Sequence, residues 1–171
     1  MSGRNDGTGQ VTLRPVTLDD LDQFKTWWAD PEADRLDSGV VREGPKGEFL
    51  DRVGRLLLTD GLPSWRVVDV AGVGPVGYVL HRGVDPRTGS VELAVRLGRE
   101  HWDRGYGTAA TRLFTDYLFK ELGAERVWLE VTATNGRARR MYGKAGFAEK
   151  ACRPGGRGRP AVIVMEAERR G

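Results

Sequence analysis

Residues 104–109 read Arg-Gly-Tyr-Gly-Thr-Ala and stand between a strand pattern and a long helix pattern. The strand pattern is Ser90–Leu97, where Val91, Leu93, Val95 and Leu97 alternate with Glu92, Ala94 and Arg96. The helix pattern runs from about Gly105 to Leu122. Ala109, Leu113, Phe114, Tyr117, Leu118 and Leu122 form its apolar stripe, and Gly123 sits where a left-handed terminating residue belongs. Strand, glycine turn and helix in direct succession require a sheet with a helix packed on it. The same turn has a chemical consequence. The first amides of a helix have no intrahelical acceptor, and the helix dipole adds partial positive charge, so the turn suits a pyrophosphate. Arg104 adds an ionic contact. The alternative is a strand–helix connection with glycine for steric relief. No Gly-Lys-Ser/Thr follows, and no third spaced glycine lies in a first βαβ unit, which excludes the two commoner nucleotide loops.

A chain of 171 residues, 39% of them hydrophobic, is long enough for one domain with a sizeable core and no staples. One cysteine, Cys152, excludes an internal disulfide framework and a cysteine-rich metal site. His81 and His101 lack ligand spacing with each other or with carboxylates, so no metal is expected. Without a membrane-length apolar stretch or a signal pattern, the expected location is cytoplasmic, with no membrane partner. A net charge of +3 is mild. It fits a ligand bearing several phosphates, and no concentrated basic face points to nucleic acid.

Residues 1–9 read as a disordered tail ahead of one domain over 10–169. Gln10–Val16 reads as a strand, and Thr17 as the N-cap of a helix over Leu18–Ala29. In that helix Leu21, Phe24, Trp27 and Trp28 recur at helical spacing, as a core stripe or as the wall of a pocket. Pro31 closes the segment, residues 32–46 read as irregular, and a second helix is expected near Gly47–Thr59. Trp65–Ala71 and Val76–Arg82 flank a hairpin turn, and Asp85–Gly89 leads into the Ser90–Leu97 strand. Arg126–Thr132 is a strand, Asn135 caps a short helix ending near Ala145, and Phe147–Cys152 and Ala161–Glu168 form a final pair. The basic Gly/Pro loop Arg153–Pro160 joins that pair.

The chain resembles the GNAT superfamily of acyl-CoA-dependent N-acetyltransferases. Its order, β-α-α-β-β-β-α-β-α-β-β, is similar to theirs, as is the Arg-x-x-Gly-x-Ala turn. Asn135–Phe147 (NGRARRMYGKAGF) resembles the family's Asn-x₆-Tyr-x-Lys-x-Gly-Phe segment. Leu13-Arg14-Pro15 with Trp28-Ala29-Asp30-Pro31 resembles the branch holding the ribosomal-protein N-terminal acetyltransferases. The resemblance implies an α/β (α+β) fold. It would be a single domain with a mixed, mostly antiparallel seven-stranded sheet, splayed at strands 4 and 5, and about four helices on both faces.

It also implies acetyl-CoA as co-substrate. The pyrophosphate would lie on Arg104, Gly105, Tyr106, Gly107, Thr108 and Ala109. The pantetheine would lie along Leu93, Val95, Arg96 and Leu97, with Asn135 and Arg139 beside it. Tyr142 matches the family's general acid, with core packing beside Met141 and Ala145 as its alternative. Asn135 can serve as helix cap as well. Glu92 corresponds to a fourth-strand glutamate that acts as base in some members. A salt bridge with Arg82 or Arg96 is its alternative, Glu130 is a competitor for the role, and the resemblance also allows loss of the amine proton to water with no single base. The acceptor side would be formed by Trp27, Trp28, Asp30, Glu32, Asp34, Asp37 and Glu43, facing the Arg153–Pro160 loop. Carboxylates by an aromatic wall suit a cationic amine, with a solvated acidic turn as the alternative for each of them. Three functions follow: acetylation of a small-molecule primary amine by direct attack in a ternary complex, acetylation of a protein N-terminus or lysine, or a non-catalytic acyl-CoA-binding sensor. Because that branch often pairs, the resemblance also allows a homodimer.

Overall fold

A computed structural model describes residues 2–3, 9–38, 53–59, 64–156 and 158–169. Seven strands form one sheet: β1 (Val11–Arg14), β2 (Trp65–Val70), β3 (Gly74–Val84), β4 (Ser90–Leu97), β5 (Arg126–Thr132), β6 (Ala148–Arg153) and β7 (Val162–Glu168). Their order is β1-β2-β3-β4-β5-β7-β6, and Ser2–Gly3 adds a two-residue pairing outside β1. Every neighbouring pair is antiparallel except β4/β5. Of the tail expected at 1–9, residues 1 and 4–8 lie outside the described residues.

The strands alternate as their sequences predict, and each face builds its own core. Val11, Val68, Val79, Leu93 and Leu129 face one side and pack under α4 (Tyr106–Lys120) and α5 (Gly136–Lys144). Val67, Tyr78 and Leu80 face the other and pack against Phe24 and Trp27 of α1 (Leu21–Trp28) and Val53 of a helical stretch at residues 53–59, here α3. Two apolar layers against one sheet explain why strands rich in valine can be buried on both sides.

The start of α1 is held by one carboxylate. Asp20 accepts from the Thr17 amide at 2.8 Å and the Thr17 hydroxyl at 2.9 Å, and Arg14 of β1 donates to both its oxygens at 2.7 and 2.9 Å. Burial works to raise the Asp20 pKa, and the Arg14 and Thr17 hydrogen bonds more than reverse it, so the carboxyl titrates below its ordinary 3.8.

The segment expected to be irregular from residue 32 is partly helical. Pro31–Ser38 forms α2, and residues 39–46 lie outside the described residues. Pro31 therefore opens a helix rather than only closing one. Asp30 accepts the Glu32 amide at 3.0 Å, and proline at the first helical position loses no hydrogen bond there. Of the helix expected at Gly47–Thr59, residues 53–59 are helical and 47–52 are outside the described residues.

The sheet is split at its parallel step. Pairing between β4 and β5 covers Ser90/Arg126, Val91/Val127 and Glu92/Trp128, and then stops. Beyond it β4 continues to Leu97 on β3 alone, and β5 continues to Thr132 on β7 alone. The strands diverge into a wedge.

Candidate active site

The glycine turn closes one end of the wedge. Asp103 and Gly105 both take left-handed backbone, with φ 58° and 80°, which turns the chain sharply from the end of β4 into α4. Trp102 donates its indole N–H to the Leu97 carbonyl at 3.1 Å, fixing the turn to the strand end. The first intrahelical bond runs from Ala109 to Gly105, so the amides of Tyr106, Gly107 and Thr108 precede it. Tyr106 and Ala109 turn their side chains into the core, and Arg104 is exposed. A Cβ on Gly107 would stand 2.3 Å from the Met141 sulfur, so glycine there lets α5 approach α4 closely.

Two spaces adjoin Trp102, ahead of this turn. The outer one, about 170 Å³, is bordered by Gly105, Gly107, Thr108, His101, Arg140 and Lys144. The inner one, about 50 Å³, is bordered by Val95, Arg96, Asn135, Tyr142 and Ala33 of α2. Leu97, Trp102, Arg137 and Met141 wall both. The indole of Trp102 also carries Arg137, whose guanidinium carbon lies 3.6 Å from the ring centroid.

Tyr142 is 7% exposed, and its ring packs 6.0 Å from Phe147. It therefore joins the core and borders the inner space at once, so its two alternatives are compatible. Asn135 is also dual. Its Oδ1 accepts the Ala138 amide at 3.0 Å and caps α5, while its Nδ2 donates to the Leu36 carbonyl at 3.2 Å. Thr132 donates to the same carbonyl. Helix α2 thus bridges the wedge, held to β5 by Leu36 and to β4 by Asp34, which accepts from Arg96.

A free strand edge, a glycine-led helix N-terminus and a buried tyrosine now surround one cleft. A family model described as acetyltransferase (GNAT) domain matches residues 10–148. The chain belongs to the GNAT acetyltransferase family. It is an acyl-CoA-dependent acetyltransferase with the splayed sheet of that fold. An uncharacterized N-acetyltransferase p20 of Bacillus licheniformis is 24% identical over 130 residues, covering 75% of this chain and 73% of that protein. A GNAT-family acetyltransferase of Bacillus anthracis superposes with a TM-score of 0.79 at 14% identity, over 98% of both chains. Spermidine N-acetyltransferase of Vibrio cholerae, in complex with CoA and spermine, superposes with a TM-score of 0.76 at 20% identity. The match covers 92% of this chain and 95% of that one.

Several residues expected at the GNAT site have other partners. Glu92 lies directly across from Arg82 in the β3/β4 register and accepts from its guanidinium at 2.5 Å. Of its two readings, the geometry favours the ion pair. Glu130 pairs with Arg153, the first residue of the basic loop. Arg139 points away from the turn. It donates to Glu149 at 2.8 Å and to the Ala133 carbonyl at 3.1 Å, and the Arg139 hydrogen bond holds the Glu149 carboxyl below its ordinary pKa. Trp27 is 2% exposed and mainly a core residue, although its Nε1 reaches Glu100 at 3.4 Å, and Trp28 packs at the edge of the same core.

The expected acidic wall resolves into pairs: Asp30 with Arg99, Glu32 with Arg35, Asp34 with Arg96. The Asp37 side chain and Glu43 lie outside the described residues. Sequence reasoning missed Trp102, Arg137, Arg140, Met141 and Lys144. For the four on α5, spacing on one helix face, residues 137, 140, 141 and 144, was the available signal, and Trp102 carried none.

Proposed function

We propose that this GNAT enzyme transfers an acetyl group from acetyl-CoA to the primary amine of a small molecule, by direct attack in a ternary complex. The observation that carries the reading is the wedge itself, whose free β4 edge leads from the glycine turn to Tyr142. Past the last β4/β5 pairing, Val95 has its backbone unpaired on the β5 side among the described residues, so this stretch of β4 can accept an extended amide-bearing arm as an added strand. The turn amides of Tyr106, Gly107 and Thr108, with Arg104 and Arg137, suit a pyrophosphate. Acetyl-CoA supplies an activated acyl group whose leaving atom is a thiolate sulfur.

The protein's own contribution is then positional and acid–base. Tyr142 is the proton donor at the inner end, delivering its hydroxyl proton toward the departing group. Asn135 holds α5, and so Tyr142, in register with β5 and α2. Glu92, tied to Arg82, is the weaker candidate for base, so loss of the amine proton to water suits this site better. On the acceptor side, arginines already engage Asp30, Asp34, Glu92 and Glu130. Those four carboxylates therefore add little net charge to draw in a polycation, which favours an amine selected by shape.

The test is thiol release from acetyl-CoA with panels of monoamines, polyamines, amino-acid derivatives and N-terminal or lysine peptides. Turnover with the small monoamines supports the proposal. Turnover with peptides alone would transfer the activity to protein acceptors, and tight acetyl-CoA binding without turnover across broad panels would sink the catalytic reading.

A further inference from the structure

We propose that Arg140 and Lys144 of α5 bind the ribose 3′-phosphate of the acyl donor, and so make the protein distinguish coenzyme A from its dephospho form. The inference rests on the acetyl-CoA reading above. Helix α5 presents Arg137, Arg140 and Lys144 at i, i+3 and i+7, along one face beside the glycine turn. Like charges one turn apart repel, and a cation in the first turn opposes the helix dipole. No acidic residue stands in that first turn. Arg139, on the opposite face, is neutralised by Glu149, whereas no carboxylate pairs with Arg140 or Lys144 among the described residues. A helix face that gathers these cations, with no carboxylate against Arg140 or Lys144 among the described residues, is complementary to an anion that the polypeptide does not supply.

The charges divide between two phosphate groups. A diphosphate bridge carries one negative charge on each phosphorus, and the α4 amides together with Arg137 meet that demand. Arg137 borders both spaces and lies on Trp102. Arg140 and Lys144 border the outer space and not the inner one, and Lys144 lies about 10 Å beyond Arg137 along the helix axis. A terminal phosphate monoester, with about −1.5 to −2 charge at neutral pH, is the group that suits two cations there. Arg112 of α4 donates to the Lys144 carbonyl and adds a further positive charge at that end.

The experiment is calorimetric titration of the full chain with coenzyme A and with dephospho-coenzyme A, for wild type and for Arg140→Gln/Lys144→Gln. Wild type should bind coenzyme A about tenfold or more tightly than the dephospho form, and added salt should narrow the gap. In the double variant the ratio should fall to within about twofold, with a ligand-free melting curve confirming that it folds. The single variants, each narrowing the ratio in part, serve if the double variant does not fold. Equal affinities in wild type, or a variant that loses affinity for both ligands by the same factor, overturn the proposal alone. If wild type binds neither ligand, the acetyl-CoA reading falls with it.

Discussion

Arg96 of β4 donates to Asp34 of α2 at 2.8 Å, with both side chains at least nine-tenths buried. The pair fastens α2 to one lip of the wedge, while Thr132 and Asn135 fasten it to the other through the Leu36 carbonyl. A helix tied to both lips sets how far the sheet can open, and it places Ala33 over the inner space.

Removing one member leaves the other charge buried. Asp34→Asn should therefore cost about 3 kcal/mol in urea unfolding and raise KM for the acceptor more than it lowers kcat. Asp34→Leu with Arg96→Met should recover most of the stability, because two apolar side chains leave no stranded charge. A loss under about 1 kcal/mol for Asp34→Asn would show that α2 is held by other contacts.

Tyr142 sits between core and cleft, so its hydroxyl can be removed with little change in packing. Tyr142→Phe should lower kcat about a hundredfold and leave the acetyl-CoA dissociation constant nearly unchanged. An unchanged kcat would remove Tyr142 from the acid role and leave it a core residue.

Glu92 is engaged by Arg82, and that pair is partly open to solvent. Glu92→Gln should cost less than about 1 kcal/mol. It should also leave the shape of the pH–rate profile intact. Loss of the basic limb in that variant would restore Glu92 as the general base.

Stability should fall on acidification in two separate windows. Burial, with nearby Arg66 adding to it, lowers the His81 pKa below its ordinary 6.5, so the unfolded chain takes up that proton first. The His81 contribution is complete above about 6.5 and is lost as pH falls through the lower folded value. Asp20 has its folded pKa below 3.8 and contributes above that value, losing its share as pH falls further. Melting temperatures against pH should show both steps in wild type. His81→Gln should lack the upper one and Asp20→Asn the lower.

Local pattern made much of this molecule legible. Alternation marked Ser90–Leu97 and Arg126–Thr132, the apolar stripe marked α4, and Asn135 capped α5 where expected, because each signal spans only neighbours along the chain. The Asp30-Pro31 start of α2 is equally local, but proline both ends one helix and opens the next, and only the Asp30 cap on the Glu32 amide separates the two roles. The residues resembling the N-terminal acetyltransferase branch have structural work here: Arg14 holds Asp20, and Asp30 caps α2. They speak for the frame rather than for the acceptor.

The sequence by itself determined the strands, the helices other than α2, and the glycine turn between β4 and α4, which is enough to recognise an acyl-CoA fold. Only the tertiary structure decided which charge meets which. Glu92 faces Arg82 through strand register, Arg139 meets Glu149 across ten residues, and Asp34 reaches Arg96 across sixty-two. Periodicity reports the face a side chain occupies, but a carboxylate becomes a base or half of an ion pair according to what lies opposite it. That neighbour is chosen by packing between distant segments. The same packing set α2 across the wedge and left Arg140 and Lys144 beside the turn, without a carboxylate partner among the described residues.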